Sequence, residues 1–163
     1  MAKSISGLTN DLNLYNYGNL EPPHLDVVTS LSFMGKYLVT SSRDKIIKLW
    51  DTKIHARSDL QYKNKKIGLV GQINNPHQLD HISFLLGNND FGTSFLSASN
   101  EGIIKNWEFR ENRLICRDSL PITQETIESI SWADESDMSF LVSSGDRKIR
   151  LYNKEVDCAD RHL

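Results

Sequence analysis

The sequence predicts an all-β chain of three four-stranded antiparallel units, preceded by one orphan strand near the N-terminus. Three observations carry this. A short motif recurs three times at fixed internal spacing, each copy ends a stretch of strand-like alternation, and the copies stand 57 and 45 residues apart. Internal repetition at such a period marks a fold built from one supersecondary unit used several times.

The repeated stretches run from His24 to Asp51, from His77 to Phe109 and from Thr126 to Asn153. Their sharpest common element is Ser-x-acid-x-x-Ile-basic-x-aromatic. It reads Ser42, Asp44, Ile47, Lys48, Trp50, then Ser99, Glu101, Ile104, Lys105, Trp107, then Ser144, Asp146, Ile149, Arg150, Tyr152. Acid and aromatic are six residues apart every time.

Within the first unit, Val27, Thr29, Leu31 and Phe33 alternate with Val28, Ser30 and Ser32, the period of two of a strand. Gly35-Lys36 reads as a turn, Tyr37–Ser42 as a β-rich run, Arg43-Asp44 as a tight turn and Ile46–Trp50 as the third strand. A fourth, more polar strand is expected near Arg57–Tyr62, and its counterpart in the second unit near Leu114–Ser119. Before Glu21, the residues Leu12, Leu14, Tyr15 and Tyr17 suffice for one strand, the outermost strand of a preceding unit. The division expected is an N-terminal segment 1–20 and repeats at 21–63, 64–120 and 121–163, the last with a C-terminal tail.

Four short antiparallel strands ending in Trp-Asp are the signature of a propeller blade. The repeats resemble WD40 blades, so the fold class expected is a partial WD40 β-propeller. That resemblance implies a polar tetrad of His24, Ser42, Asp44 and Trp50, because the loop entering the first strand and the turn between the second and third lie at one end of a blade. A buried imidazole needs partners for both nitrogens, which makes His24 a structural residue rather than a catalytic or metal-binding one. In the second unit the position of His24 falls on Asn75, with His77 displaced by two and Glu101 replacing the aspartate. In the third it falls on Thr123, and Tyr152 replaces the tryptophan. Only the first blade is expected to complete a tetrad, the others leaning on apolar packing with looser turns. Propellers close with about four to eight blades, so three blades expose two apolar blade faces and call for missing blades or self-association.

The entry Glu21-Pro22-Pro23-His24-x-Asp26, followed by Ser42-Arg43-Asp44 and Ile47-Lys48-x-Trp50-Asp51, resembles the third-from-last blade of the C-terminal propeller in class-four kinesin-like proteins that end in WD repeats. The resemblance implies microtubule-associated biology, with tubulin or a microtubule-associated protein as partner and a cytoplasmic or cytoskeletal location.

Composition narrows the remaining classes. A net charge of −2 with 25% charged residues lacks the basic excess of a nucleic-acid-binding domain. No apolar run nears the roughly 20 residues of a membrane helix, and the first twelve residues lack the apolar segment of a secretory signal. Cys116 and Cys158 lack CxxC spacing and read as reduced thiols rather than a disulfide or metal site. His77-x-x-Asp80-His81 has no third convergent ligand and lacks the HExxH glutamate. Gly68-Leu69-Val70-Gly71 has neither the spacing nor the lysine of a phosphate-binding loop, and no GxSxG elbow exists. Lys63–Lys66 and Asp134–Asp137 read as solvated connections. No catalytic residue, metal or cofactor is assigned.

The function expected is therefore a non-enzymatic protein-interaction scaffold. Rigid strands would hold variable loops at one rim, where the candidate contacts are Asp26, Arg43, Lys45, Asn100, Glu101, Arg147 and Lys148. Their mixed charge suits a protein partner better than a nucleic acid. The alternative is an adaptor or substrate receptor in another complex, such as a ubiquitin ligase or RNA-processing machine, an inference from fold alone.

Overall fold

The computed structural model describes residues 19–52, 67–77, 82–87, 93–133 and 139–153. These residues form eleven strands in three antiparallel sheets, with no helix among them. In the first sheet β1 (Val28–Met34), β2 (Tyr37–Ser42), β3 (Ile46–Asp51) and β4 (Gly68–Asn74) lie side by side in chain order. The second repeats the pattern with β5 (Ile82–Gly87), β6 (Ser94–Ser99), β7 (Ile103–Arg110) and β8 (Arg113–Pro121). The third contains β9 (Ile127–Trp132), β10 (Ser139–Ser144) and β11 (Ile149–Asn153). The all-β expectation of stacked meander sheets holds, and no sheet closes into a barrel.

The repeat extends to backbone detail. The register shifts at the entry of every innermost strand, between Val28 and Ser30, between Ile82 and Phe84, and opposite Ser143/Ser144 on β10. A second shift recurs between Leu49 and Trp50 and between Asn106 and Trp107, where the outermost strand joins. An extra residue at the same point increases local twist in each sheet. The turn between second and third strands likewise repeats in form. Lys45, Gly102 and Arg147 each donate their N–H back to Ser42, Ser99 and Ser144 and each adopt positive φ, at 63°, 73° and 65°. Only Gly102 does so without steric cost.

Two elements depart from expectation. The strand hydrogen-bonded to β3 is Gly68–Asn74, not Arg57–Tyr62, which lies outside the described residues. Leu69, Gly71 and Ile73 turn inward on β4 in period two, where the sequence placed no strand. The first sheet consequently extends beyond residue 63, where the sequence placed the end of the first repeat. The counterpart in the second sheet, Leu114–Ser119, falls inside β8. The orphan strand expected around Leu12–Tyr17 lies outside the described residues.

The sheets pack face to face through two apolar cores. Val39, Ile47, Leu49 and Met34 of the first sheet meet Leu85, Phe95, Trp107 and Phe109 of the second. The opposite face of the second sheet, with Leu96, Ala98 and Ile104, meets Ile127, Ile130, Phe140 and Val142 of the third. Ring contacts stiffen both layers, Tyr37 edge-on to Phe109 at 5.2 Å and Phe140 stacked on Tyr152 at 5.3 Å.

Candidate functional site

The turns between the second and third strands of each sheet lie at one end, beside the loops that enter the innermost strands. In the first sheet His24 links them. Its Nδ1 donates to Asp44 Oδ2 at 2.9 Å, and its Nε2 stands 2.9 Å from Thr40 Oγ1. The Trp50 indole N–H donates to the same Thr40 oxygen at 2.9 Å. One proton arrangement satisfies every atom: indole to threonine oxygen, threonine hydroxyl to Nε2, and Nδ1–H to carboxylate. Thr40, not Ser42, is therefore the hydroxyl of the tetrad. Side chains alternate along β2, and Thr40 shares its face with Trp50 through the pairing of Leu38 with Trp50. Ser42 binds the entry loop instead, donating to the Asp26 carbonyl at 3.1 Å and accepting the Asp44 N–H at 3.1 Å.

The second sheet holds the same chain of bonds, which corrects the expectation of a single complete tetrad. His77 Nδ1 lies 2.9 Å from Glu101 Oε1 and its Nε2 2.8 Å from Ser97 Oγ, to which the Trp107 indole also donates at 2.8 Å. The two-residue displacement of His77 is absorbed because glutamate is one methylene longer than aspartate and the entry differs, Asn75 adopting positive φ of 49°. His77 is almost fully buried. Burial, then the Lys105 charge, hold its pKa down at about 4 against the pull of Glu101. In the first sheet, burial pushes the Asp44 carboxyl up, but N–H groups of Leu25 and Ile46 and the His24 ring leave it below the usual range.

The third sheet solves the problem differently. Val142 occupies the place of Thr40 and Ser97, as its pairing with Arg150 shows beside those of Thr40 with Lys48 and Ser97 with Lys105. Arg150 folds back to grip Asp146 with both Nη atoms and donates to Ser144 Oγ at 2.9 Å. This pair, with Ser144, holds the Asp146 carboxyl well below the usual range. Thr123 instead accepts the Glu125 N–H at 3.1 Å.

Lys48, buried, and Lys105, half-buried, stand in the motif but were given no role from the sequence. Lys48 Nζ donates to the carbonyls of Pro22 and Pro23 at 2.9 and 2.7 Å, and Lys105 Nζ to that of Pro76 at 2.6 Å. They fasten each entry loop over its sheet. Lysine recurring between isoleucine and tryptophan on an inward-facing strand was the available signal.

The rim residues divide. Asp26, Arg43, Lys45, Arg147 and Lys148 are exposed on the entry loop and turns of the first and third sheets. Asp26 accepts the Val27 N–H at 2.6 Å. Glu101 is only 8% exposed and bound to His77, so it belongs to the tetrad rather than the rim. Asn100 is half-buried, and its Oδ1 is enclosed without a hydrogen-bond partner. Among the described residues no cluster of His, Cys, Asp and Glu could hold a metal. Asp80, His81, Cys158, Lys63–Lys66 and Asp134–Asp137 lie outside them. No helix of the described residues is long and apolar enough to cross a membrane.

Comparison with known proteins agrees with this geometry. Residues 19–51 match the family described as WD domain, G-beta repeat, whose members generally serve as non-catalytic scaffolds. No curated protein matches the chain. Among solved structures, the chain is similar to the computationally designed Ika8 protein, with a TM-score of 0.61 and 19% identity over 83% of this chain. It spans 35% of that protein's length. The computationally designed Ika4 protein is similar at a TM-score of 0.62 and 18% identity, over 86% of this chain and 74% of Ika4. At these identities the likeness concerns the fold alone. The chain thus carries a WD40 repeat at residues 19–51, within an all-β fold of the kind expected for part of a WD40 propeller.

Proposed function

We propose that this chain is a protein-interaction scaffold whose contact surface is the rim carrying Asp26, Arg43, Lys45, Arg147 and Lys148. The observation that supports the reading is the contrast at that rim: exposed charges of both signs stand on turns pinned by side-chain hydrogen bonds, His24 to Asp44 in the first sheet and Arg150 to Asp146 in the third. Prefixed turns lose little conformational entropy on binding, and the mixed charge gives orientation and selectivity rather than simple attraction. The test is partner capture from cells by the wild type and by the charge reversals R43E/K45E and R147E/K148E, with thermal melting as a control on folding. Loss of the captured partner with unchanged melting supports the rim. Undiminished capture by both variants refutes it.

The Glu21–His24 entry favours a finer reading, in which the partner is tubulin or a microtubule-associated protein and the chain works in the cytoplasm as part of a kinesin-like assembly. Co-sedimentation with microtubules tests it: binding weakened by R43E/K45E supports it, and absence of binding by a complete propeller containing this segment sinks it. The adaptor reading differs in what co-purifies, a ubiquitin-ligase or RNA-processing complex instead of tubulin.

A further inference from the structure

β7 and β8 join through two residues, Glu111 and Asn112, which both adopt positive φ, 51° and 59°. Such a turn matches the twist of the strands it connects and holds them together to their ends. It lies at the end of the sheet opposite the rim, because the rim turns join second to third strands and this one joins third to fourth. The last residues paired before it are Arg110 and Arg113. Directly opposite residues share a face and stand roughly 5.5 Å apart at Cα in a closed hairpin. The turn therefore holds two guanidinium side chains next to each other.

Like charges placed this way repel, and little around them compensates. The nearest acid along that face of β7, Glu108, is taken by Arg117, whose Nε–H donates to it. Glu111 comes only within 4.0 Å of Arg110 Nε, and the two side chains are 85% and 64% exposed, so their attraction is weak. Arg113 is exposed, and its side chain makes no ion pair among the described residues. Two open guanidinium groups match a dianion better than a single carboxylate. A phosphomonoester carries about −1.5 to −2 charges near pH 7 and offers three acceptor oxygens, enough for a forked bond from each arginine.

We propose that Arg110 and Arg113 clamp the phosphate of a phosphorylated serine or threonine in an extended segment of a partner protein. Two features favour a protein segment over a lipid headgroup. The hairpin tip bears Glu111, which an anionic membrane repels, and from Arg110 to Arg113 it has no apolar side chain to insert. β8 is also the outermost strand of its sheet, and no described strand pairs its outer edge. An extended peptide adds to such an edge through backbone hydrogen bonds, and a phosphorylated residue opposite Arg113 then shares the face of both arginines. The proposal deepens the scaffold reading with a second contact, and rests on it only in taking the partner to be protein. R43E/K45E and R147E/K148E probe the rim and R110Q and R113Q the clamp, so failure of one is distinguishable from failure of the other.

The test is an NMR titration of the full chain with a phosphoserine peptide of alternating valine and threonine, followed at the arginine Nε–H signals. Reductant is present because Cys116 on β8 is exposed. Shifts are expected at Arg110 and Arg113 and not at Arg43 or Arg147, with binding roughly tenfold or more tighter than that of the unphosphorylated peptide. R110Q and R113Q should each weaken the phosphopeptide by about tenfold and leave the unphosphorylated peptide unaffected. Neither variant should melt below wild type, since each removes a repulsive pair. E111Q should tighten binding, because it frees Arg110 from its weak competitor. Equal affinity for the two peptides, undiminished phosphopeptide binding by both arginine variants, or melting of R113Q clearly below wild type would each overturn the proposal. So would inorganic phosphate binding as tightly as the phosphopeptide, or vesicles containing phosphatidylinositol phosphate binding where the phosphopeptide does not.

Discussion

Acidification should weaken the second sheet selectively through His77. In the unfolded chain this imidazole titrates near 6.5, and in the folded chain it is held at about 4 by burial and by Lys105. The folded state therefore refuses a proton that the unfolded state takes. Below 6.5 the unfolded chain gains protonation free energy, and the stability present at neutral pH is lost progressively as pH falls toward 4, below which the folded state protonates too. At about 1.36 kcal/mol per pKa unit, the loss reaches about 3 kcal/mol by pH 4. For a chain of this size, with a urea m-value of about 2 kcal/mol per molar, that lowers the unfolding midpoint by roughly 1.5 M. The control is His77→Gln, which keeps a polar side chain but cannot titrate. It will be less stable at pH 7, yet its midpoint should fall less than that of wild type between pH 6.5 and 4, the difference approaching that 1.5 M. Carboxylates such as Asp44 contribute equally to both chains and cancel. Parallel pH profiles for the two proteins, or an NMR titration placing folded His77 at 6 or above, would refute the reasoning.

The buried hydroxyls should matter in both complete tetrads. Thr40→Val and Ser97→Ala each leave a buried imidazole nitrogen and a buried indole N–H without their shared partner, costing about 1–3 kcal/mol apiece in denaturant unfolding; a neutral result would show that the bonds contribute nothing. Position alone should not predict the effect of truncating a leucine. Leu49→Ala, in the core between the first and second sheets, should cost about 2–5 kcal/mol, whereas Leu151→Ala at the corresponding place on the open face should stay within about 0.5 kcal/mol. Equal costs would mean that the outer face of the third sheet is covered. In the third sheet the ion pair supports the charged form of Asp146, so its contribution is present above the usual carboxylate pKa and disappears as pH falls well below it. Arg150→Gln should move the Asp146 pKa up toward 3.8 in a carboxyl-carbon NMR titration, and an unmoved pKa would remove Arg150 as the cause.

Strands that read as β-rich runs bounded by turns were legible from residue order, as Tyr37–Ser42 and Ile46–Trp50 illustrate, although both are buried on both faces rather than alternating. The repeated motif fixed the corresponding turns of three sheets, since Ser, acid and Ile must fall at set points around a two-residue reversal. β4 was not legible, because Gly68 and Gly71 weaken strand propensity locally while the pairing that stabilises them is made with β3, distant in sequence. The hydroxyl of the tetrad was misplaced by two residues for a related reason. Ser42 and Thr40 share a face, and only the depth of the Trp50 ring along β3 decides which of them meets the indole. Aligning by residue count placed His77 off register, whereas the longer side chain of Glu101 restores contact in space. The pairing of Arg150 with Asp146 was not read from the motif because replacing a lysine with arginine looks conservative; its planar fork, however, reaches two acceptors at once.

The central structural claim is that two sheets, not one, carry a complete hydrogen-bonded chain from indole to carboxylate beneath the rim. Hydrogen exchange at the indole nitrogens of Trp50, Trp107 and Trp132, read by NMR, tests it most directly because the chain has three tryptophans. Trp50 and Trp107 donate to buried hydroxyls, and both indole hydrogens should exchange with strong protection, more slowly than that of the half-buried Trp132. Protection of Trp50 with free exchange at Trp107 would contradict the claim and return the second sheet to apolar packing alone.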